Sequence, residues 1–574
     1  MTFDFFSKLN SSNCTIKGNE YIITSPSIII NGKLVINKSC KITSTCQTII
    51  SCTRLKIKSP SVSFSNLFFI TSIKIKESDN FSITDCILDH PGIQKAALQI
   101  SECKNVTINR FTIKNTGKSP GILVLKDSSI NANQVTIHDT GTTQVAGFSN
   151  SSLIFTNSTF SKSLANGILL DDQSSIEISD STFSDMECPA LFIEKSTCKV
   201  IHNKFEKVQQ NCISVISCQN FLIEQNEISE VKATAISASE HSQGVVTDNI
   251  IHDVEGNGIL CIGNSELLIK NNKIYDLQYP SISVASNSKA SLFDNKIDNI
   301  QYSGIAIRNA KEVTITGSTI NNIGESGISV SDSEKCVISK NSIKNCQITS
   351  IEGYNKSTVF VNDNIISNMG KYAFLAYTAG FIKAENNQIK DIHTAMAKLA
   401  YKGGGDFTNN SIDNCPTQCE IQTSSPYFFK GNGQFKAVTN DPKRKSPDIT
   451  LEKVIIDNNS DLCLKCHKNK RDYYLLDCSH KVYCQECAEL AFKNKEDCPL
   501  CRFPIVNISN GFGVKNDDMC IICCDKPANC IILPCGHMGF CSDCIENWFK
   551  NNKSCPICRN DPSFYKVIGA DISI

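Results

Sequence analysis

The chain contains 574 residues, roughly three to four times the usual length of a domain, so two or more domains are expected. Its 57 basic residues balance its 57 acidic residues, which argues against a protein that coats nucleic acid or a membrane surface as a whole. The hydrophobic share of 41% and the charged share of 20% indicate a globular rather than a disordered chain.

The first 21 residues lack the basic start and apolar core of a secretion signal, and no apolar run approaches the ~18 residues of a membrane span. Of the 31 cysteines, 16 lie between Cys463 and Cys558. The other 15 are scattered between Cys14 and Cys419 without the spacing of a disulfide framework, as expected of buried thiols in a reducing compartment. We therefore expect a soluble protein of the cytoplasm or nucleus, with neither a membrane nor a nucleic acid as its partner.

A repeat with a period of 23 residues fills the first part of the chain. It is marked by the apolar residue of a recurring Asn-x-Ile phrase, and the one irregular gap, of 22 residues, separates Phe183 from Phe205. The markers are Phe160, Phe183, Phe205, Ile228, Ile251, Ile274, Ile297, Ile320, Ile343, Ile366, Ile389 and Ile412. Two residues before a marker stands a polar residue, namely Asn203, Asn226, Asn249, Asn272, Asn295, Ser318, Asn341, Asn364, Asn387 or Asn410. Seven residues after a marker stands a small residue, such as Gly167, Ala190, Gly258 or Ser281.

Within each copy, β-branched residues alternate with polar ones, and no copy has a helical spacing over ten or more residues. Units of this length with several short strands predict a parallel β-helix, in which equivalent residues of successive coils stack about 4.8 Å apart. Each asparagine can then donate to one neighbour and accept from the other, while the apolar markers form the core. The pattern resembles the right-handed β-helix of the pectate-lyase-like superfamily, and we assign residues 1–430 to this domain.

Many β-helices of that superfamily act on polysaccharides, so an enzymatic rod has to be considered. The resemblance would then imply a Gly-His-Gly and an Arg-x-Lys phrase, which are absent, and the acidic pair Asp171 and Asp172 is better explained as a solvated turn. The histidines fall at different positions of the repeat and form no constellation: His90, His138, His202, His241, His252 and His393. We expect the β-helix to present an extended face to a protein or glycan ligand.

The repeat gives way to a linker over residues 431–460. Residues 441–447 read DPKRKSP, and three basic residues between prolines could serve as a nuclear-import signal. A solvated linker is the simpler interpretation of the same residues.

Two segments after the linker share one arrangement of eight candidate metal ligands, with all seven intervals equal. The first segment contains Cys463, Cys466, Cys478, His480, Cys484, Cys487, Cys498 and Cys501. The second contains Cys520, Cys523, Cys535, His537, Cys541, Cys544, Cys555 and Cys558. These thiols and imidazoles suffice for four tetrahedral sites, the arrangement of structural zinc with no open coordination position. Segments of fewer than about 50 residues bury little core, so four bound Zn²⁺ ions must supply much of the folding energy.

This ligand order resembles the RING finger of ubiquitin ligases, with the two fingers assigned to residues 461–505 and 518–562 and a C-terminal tail to 563–574. In that family, ligand pairs one and three hold one ion, and pairs two and four hold the other. The resemblance therefore implies that Cys463, Cys466, Cys484 and Cys487 share an ion, as do Cys478, His480, Cys498 and Cys501. In the second finger it groups Cys520, Cys523, Cys541 and Cys544, and separately Cys535, His537, Cys555 and Cys558.

The second finger also matches the positions at which RING fingers contact a ubiquitin-conjugating enzyme. The family has an apolar residue before the second ligand, where this chain has Ile522, and an aromatic residue four positions after the sixth, where it has Trp548. Pro556 follows the seventh ligand, and Arg559 stands where the family places a cation that contacts ubiquitin. The resemblance implies a small apolar groove, although Trp548 could instead pack within the finger.

The first finger departs from this pattern. Lys465 replaces the apolar contact and Ala491 stands at the aromatic position, although Arg502 is present. We expect the first finger to bind no conjugating enzyme and to brace the second.

The resemblances imply a ubiquitin-protein ligase, a RING-type ubiquitin transferase whose partners are a conjugating enzyme and ubiquitin. A RING finger has no nucleophile of its own, so the mechanism would be one of orientation. Two alternatives remain: a non-catalytic zinc-binding scaffold, and a carbohydrate-binding or carbohydrate-active β-helix with an accessory zinc tail. Phe564, Tyr565, Val567 and Ile568 would suit a RING dimer or a strand packed on its own finger.

Overall fold

The computed structural model describes residues 1–439 apart from 91, 93, 94, 334, 422–426, 434, 436 and 437. Beyond them it describes residues 462–466, 468–471, 473–475, 480–494, 496, 505, 508–509, 520, 523, 530–533, 537–551 and 564–567. The chain divides into two compact units, Met1–Lys445 and Ser446–Ile574.

The first unit is a parallel β-helix, as the repeat predicts. Each coil contributes one strand to each of three parallel sheets, and pairings such as Ile274 with Ile297 join residues 23 apart. Sheet S1 holds the repeat markers: Thr159–Ser163, Thr182–Met186, Lys204–Val208, Glu227–Val231, Ile250–Val254, Lys273–Leu277, Lys296–Ile300, Thr319–Ile323, Ser342–Cys346, Ile365–Met369, Gln388–Ile392 and Ser411–Asp413.

Sheet S2 follows S1 along each coil, after the column of small residues. Its separate strands are Thr2–Asp4, Ile73–Lys76, Leu98–Ser101, Ile122–Leu125, Val145–Gly147, Ile168–Leu170, Leu191–Glu194, Ile213–Ile216, Ile236–Ser239, Ile259–Cys261, Ile282–Ala285, Ile305–Arg308, Ser326–Ser331, Thr349–Tyr354, Tyr372–Ala376, Ala395–Leu399 and Cys419–Ile421.

Sheet S3 completes the coil. Its separate strands are Glu20–Ile23, Ser152–Thr156, Ser175–Ser179, Thr197–Ile201, Phe221–Glu224, Gln243–Thr247, Glu266–Lys270, Lys289–Phe293, Glu312–Thr316, Cys336–Ser339, Thr358–Asn362, Phe381–Glu385, Gly404–Thr408 and Tyr427–Lys430.

In the first coils, single long strands bend from one sheet to the next, so the three-strand pattern is less regular there. Val62–Ile70, Ser82–Asp89, Val106–Gly117 and Ser129–Thr140 run through S3 and S1, Ser27–Ile36 runs through S1 and S2, and Cys40–Ile57 passes through all three. The 3₁₀ helix Phe5–Lys8 and the strand Cys14–Lys17, antiparallel to Glu20–Ile23, lie at the N-terminal end. At the other end, Val438–Thr439 runs antiparallel to Tyr427–Lys430.

The core of the rod is a stack of apolar side chains that repeats from coil to coil. The rings of Phe160, Phe183 and Phe205 are nearly parallel, with centroids 4.6 and 4.9 Å apart, close to the spacing of paired strands. Isoleucines continue this column, and Ile228 to Ile366 in S1 are fully buried. One hydrophobic cluster runs from Phe5 to Phe429.

The predicted asparagine column is a buried hydrogen-bonded ladder at the corner between S3 and S1. At Asn272, the side-chain amide donates to the carbonyls of Val246 and Lys270 and to Oδ1 of Asn295, at 2.9 to 3.1 Å. Its own Oδ1 accepts from the backbone N–H and the side-chain amide of Asn249, both at 3.0 Å. The sharp corner leaves these backbone groups without strand partners, and the next coil supplies the missing partner.

Ser318 interrupts the ladder without leaving a buried donor unpaired. Its Oγ accepts from the N–H of Asn295 at 3.3 Å, and its own N–H donates to Oδ1 of Asn341 at 2.9 Å. The structure also extends the ladder to Asn432, which accepts from Asn410 and is fully buried.

A second ladder, which the sequence analysis did not find, lies at the corner between S2 and S3. Buried serine hydroxyls accept hydrogen bonds from backbone N–H groups of the preceding coil. For example, Oγ of Ser265 accepts from the N–H of Ser242, and Oγ of Ser288 accepts from the N–H of Ser265, both at 3.1 Å. The serines concerned are Ser128, Ser174, Ser196, Ser242, Ser265, Ser288 and Ser333. Both ladders fix the register of the coils.

The second unit contains two small modules with the same order of elements. The first has the antiparallel strands Tyr473–Leu475, His480–Tyr483 and Ile508–Ser509, with helix α1 at Gln485–Lys493. The second has Cys530–Leu533, His537–Phe540 and Phe564–Val567, with helix α2 at Ser542–Asn551. Neither described helix has the length and apolar character needed to cross a membrane.

The ladder predicts a graded effect of substitution at Asn272. Asn272→Ala leaves the buried N–H of Asn249 without an acceptor and removes the amide bonds, so the free energy of unfolding should fall by about 3 kcal/mol. Asn272→Ser should cost roughly half as much, because a serine Oγ can accept that N–H as Ser318 does. Urea unfolding followed by circular dichroism measures both. Equal losses for the two variants would contradict the ladder as the source of the stability.

Candidate zinc sites

The described residues of the first module form only a small apolar core. Its described buried apolar side chains, besides cysteines, are few: Leu475, Val482, Tyr483, Ala488, Ala491 and Ile505. A segment of this size with so little core needs a further source of folding energy. Its cysteines are the available source.

Four of these cysteines meet in the first module. Cys463 and Cys466 lie in a turn closed by the bridge between Leu462 and Lys470, Cys484 directly precedes α1, and Cys487 lies in the first turn of that helix. Their sulfur atoms all lie within 4.8 Å of one another. The Sγ atoms of Cys466 and Cys484 are 3.8 Å apart.

This spacing fits a zinc ion. Four sulfurs placed tetrahedrally about 2.3 Å from Zn²⁺ would be about 3.8 Å from one another. The backbone N–H groups of Asn469 and Lys468 lower the pKa of Cys466 to about 6. Burial and the neighbouring thiols raise the pKa of Cys487, because negative sulfurs so close repel each other. A cation among the four sulfurs would offset this repulsion and allow all four thiols to ionise.

The second module repeats this cluster. The sulfurs of Cys520, Cys523, Cys541 and Cys544 also lie within 4.8 Å of one another, with Cys523 and Cys541 3.8 Å apart. The neighbouring Cys541 thiol is the main cause of a raised pKa at Cys544. The donor set is again soft, negatively charged when ionised and suited to Zn²⁺.

The remaining predicted ligands cannot be placed in the same way. Six of them lie outside the described residues: Cys478, Cys498, Cys501, Cys535, Cys555 and Cys558. His480 and His537 are placed only as strand residues, opposite Leu475 and Ile532 respectively. The second zinc site of each module stays a prediction that the RING resemblance implies.

Among the predicted contacts to a conjugating enzyme, the structure describes Trp548. It lies on α2, one helical turn after Cys544, and is half-buried. The helix begins directly after Cys541, whose carbonyl accepts the N–H of the buried Ile545 at 3.1 Å. Ile522, Pro556 and Arg559 lie outside the described residues.

The corresponding surface of the first module is different. Lys465 Nζ donates to both carboxylate oxygens of Glu496, at 2.6 and 2.7 Å, and Ala491 is fully buried within the module. An ion pair thus lies at the position that Ile522 occupies in the sequence of the second module. At the position equivalent to Trp548, the first module has no exposed side chain. The role of Glu496 as the partner of Lys465 could not be predicted from the sequence, because two residues 31 positions apart leave no local pattern.

The C-terminal apolar segment is part of its own module. Phe564, Tyr565 and Val567 pair antiparallel with Leu533, Ile532 and Cys530. This strand accounts for the apolar pattern within one chain, and it lies beyond residue 562, where the sequence analysis ended the second finger.

The acidic pair and the histidines of the rod are dispersed and form no common site among the described residues. The N–H of Asp172 donates to Oδ1 of Asp171 at 2.6 Å, a local turn in which Asp172 has a positive φ of 58°. Three histidines each contact an aspartate at 2.6 Å on different coils: His138 with Asp139, His202 with Asp180 and His252 with Asp253. His90 is buried, and burial lowers its pKa.

Two family models match the chain. A model described as "Right handed beta helix region" matches residues 71–197, 193–292, 235–389 and 280–440, which together span more than half of the chain. A model described as "Zinc finger, C3HC4 type (RING finger)" matches residues 459–508 and 516–563. Together with the structure, these matches confirm the right-handed β-helix and the two RING fingers.

Curated proteins are similar to short parts of the chain. They include the E3 ubiquitin-protein ligase NEURL3 of Mus musculus, 44% identical over 46 residues, 8% of this chain and 18% of that protein. The putative E3 ubiquitin-protein ligase XBAT34 of Arabidopsis thaliana is 38% identical over 45 residues, 8% of this chain and 12% of that protein. The E3 ubiquitin-protein ligase rnf8-B of Xenopus laevis is 29% identical over 106 residues, 18% of this chain and 19% of that protein. The chain thus spans between about an eighth and a fifth of these relatives' lengths.

Among solved structures, the A-module of the mannuronan C-5 epimerase AlgE4 of Azotobacter vinelandii is 11% identical and covers 70% of this chain and 91% of that one. Its TM-score is 0.26, which supports no inference about function.

Metal removal should expose the thiols of the second unit while those of the rod stay protected. Twelve of the 15 rod cysteines are buried, and burial raises the pKa of Cys40 to about 11 and of Cys86 to about 12. The thiolate is the reactive form, so these thiols should stay protonated and slow at pH 8 and become reactive only as the pH approaches those values. Labelling with a thiol-specific chromophore should report mainly Cys46 and Cys188 before chelation, and the C-terminal cysteines as well afterwards. An unchanged labelling pattern after chelation would contradict metal binding.

Proposed function

Because the chain belongs to the right-handed β-helix family and carries two RING fingers of the C3HC4 type, we propose that it is a ubiquitin-protein ligase. In this proposal the second RING finger docks a ubiquitin-conjugating enzyme, and the β-helix recruits the substrate. The observation that carries the proposal is that both RING matches contain a four-thiol cluster at the spacing of a zinc tetrahedron. The relatives that match short parts of the chain are named as E3 ubiquitin-protein ligases, one of them as a putative one.

Each RING finger would hold two zinc ions, four in the whole chain. The two described clusters would supply one site per finger, and the predicted cysteine and histidine ligands the other. The ions would supply structural cross-links with all four coordination positions filled by the protein, so they offer no open position for chemistry.

The second finger has the geometry needed to fix an aromatic contact. Cys544 and Trp548 are four residues apart on α2, so their side chains lie on the same side of the helix. An ion held by Cys541 and Cys544 would anchor the start of this helix and thereby set the position of Trp548. We assign the docking contacts to Ile522, Trp548 and Pro556.

The reaction would be catalysed by orientation. Arg559 would contact ubiquitin while the conjugating enzyme is docked, which restricts the thioester to conformations that a substrate lysine can attack. Restricting the reactants in this way lowers the entropy cost of the transfer and requires no nucleophile from this chain.

For the first RING finger we propose a structural role. Lys465 is held by both oxygens of Glu496, so an apolar partner surface would have to displace an ion pair. Ala491 is buried and offers no aromatic contact.

If the second finger were equally inactive, the chain would be a zinc-stabilised scaffold, which is the second candidate function.

The cytoplasm or nucleus is the compartment we propose. All 15 rod cysteines are free in the structure, including the exposed Cys46. Free thiols in this number suit a reducing compartment.

Trp548→Ala should reduce self-ubiquitylation of the full chain by about thirty-fold or more, since a central aromatic contact of this kind typically contributes ≥ 2 kcal/mol to an interface. The zinc content should not change, because Trp548 is not a ligand. In vitro assays with a panel of conjugating enzymes, together with metal analysis, measure both quantities.

Phe492→Ala provides the matched control, because Phe492 is a 43% exposed aromatic residue on α1 of the first finger. It should leave self-ubiquitylation unchanged. Full activity of the Trp548→Ala variant would contradict the docking groove, and inactivity of the unaltered chain with every conjugating enzyme would favour the scaffold.

A further inference from the structure

The outer face of sheet S2 carries a group of cations in the first coils of the β-helix. Within strand Cys40–Ile57, Leu55 and Ile57 point into the core, so Arg54 and Lys56 lie on the outer face, and Lys58 follows at the next outer position. The neighbouring strands add Lys33, which pairs with Arg54, and Lys74, which pairs with Lys56. We call Lys33, Arg54, Lys56, Lys58 and Lys74 the basic face.

These cations lack acidic partners. Among the described residues, none of the five takes part in an ion pair, whereas the nearby Lys76 and Lys126 are held by Glu102 at 3.4 and 2.9 Å. Arg54 donates from Nη2 to Oε1 of Gln99 at 3.2 Å, and its Nε is shielded from solvent without a described partner. The face therefore holds a concentration of positive charge in a chain whose net charge is zero.

The cations repel one another. Partial burial, followed by the charges of Arg54, Lys33, Lys58 and Lys95, lowers the pKa of Lys56. Burial, Arg54 and Lys56 also lower the pKa of Lys74. An anion bound to the face would relieve this repulsion. Among the described residues, no carboxylate forms an ion pair with these five cations.

The spacing of the cations indicates what shape of anionic ligand would fit the face. Arg54, Lys56 and Lys58 occupy alternate positions, about 6.6 Å apart, and Lys56 and Lys74 lie on strands about 4.8 Å apart. An extended peptide presents the side chains of one of its faces at the same interval of about 6.6 Å. The residues adjoining the face in S2 include Thr2, Val35, Gln99 and Leu123, and the acidic Asp4 lies beyond Val35 at the edge of the sheet. None of these is an aromatic side chain on which the bases of a single-stranded nucleic acid could stack.

We propose that the basic face binds an acidic, extended segment of a protein substrate. The choice of a protein rests on the ligase function proposed above, since the acceptor of ubiquitin must carry a lysine. Carboxylates at alternate positions of the segment would lie against Arg54, Lys56 and Lys58, and Arg54 can hold a carboxylate with two parallel N–H donors.

The test measures peptide binding to the full chain by fluorescence anisotropy. The probe is a fluorescein-labelled dodecapeptide of alternating glutamate and serine, and glutamine replaces glutamate in the neutral control peptide. Lys56→Glu/Lys74→Glu should weaken binding of the acidic peptide by about ten-fold or more, because two attractive contacts become repulsive. Lys296→Glu/Lys344→Glu is the matched control, since it makes the same change of charge at two exposed positions of S1.

Measurements on the unaltered chain test the proposal even if a variant folds poorly. Binding of the acidic peptide should exceed that of the neutral peptide and weaken several-fold between about 0.05 and about 0.3 M NaCl. Equal binding of the two peptides, equal losses in both double variants, or tighter binding of oligogalacturonate or single-stranded RNA would overturn the proposal. Self-ubiquitylation is measured without the peptide, so failure of the ligase proposal and failure of this one are separate outcomes.

Discussion

The rod depends on one requirement, namely that backbone N–H groups buried at the corners of each coil must have acceptors. The asparagine ladder meets it between S3 and S1, and the serine ladder meets it between S2 and S3. Each acceptor comes from the following coil, so a shift in register would leave buried donors unpaired along the stack. The phenylalanine stack and the isoleucine columns support the same register, because a shift by one residue would turn these buried side chains to solvent.

The two RING fingers differ from the rod in what stabilises them. The rod buries a continuous core over more than 400 residues. The described residues of each finger include only a few buried apolar side chains beside a cluster of four thiols. In the second finger, Cys541 and Cys544 of the cluster lie at the start of the helix that carries Trp548. If the cluster binds zinc as proposed, folding and the docking contact would depend on the same four sulfurs, and loss of metal would remove both together.

The repeat could be predicted because its markers keep one period, and the asparagine column because it recurs two residues before the markers. The serine ladder could not be predicted from the sequence, because serine is common throughout the chain and because Cys218 and Ala310 interrupt the column. The basic face could not be predicted from the period, since the early coils differ in length: Lys56 pairs with Lys74, and Lys74 with Gln99. The candidate ligands could be predicted from their spacing and the grouping of the clustered thiols from the RING resemblance. The ion pair of Lys465 with Glu496 could not be predicted, because it depends on tertiary structure.

The ends of the rod have a consequence for how chains meet. A stack of identical coils exposes, at each end, strand edges to which the coil of another molecule could add, and indefinite addition would produce fibres. Here Cys14–Lys17 runs antiparallel at one end and Val438–Thr439 at the other. Both strands pair with the terminal strand of S3, and an antiparallel edge offers a different pattern of donors and acceptors from the parallel coil. These two short strands therefore oppose the addition of another chain's coil to S3 at either end of the rod.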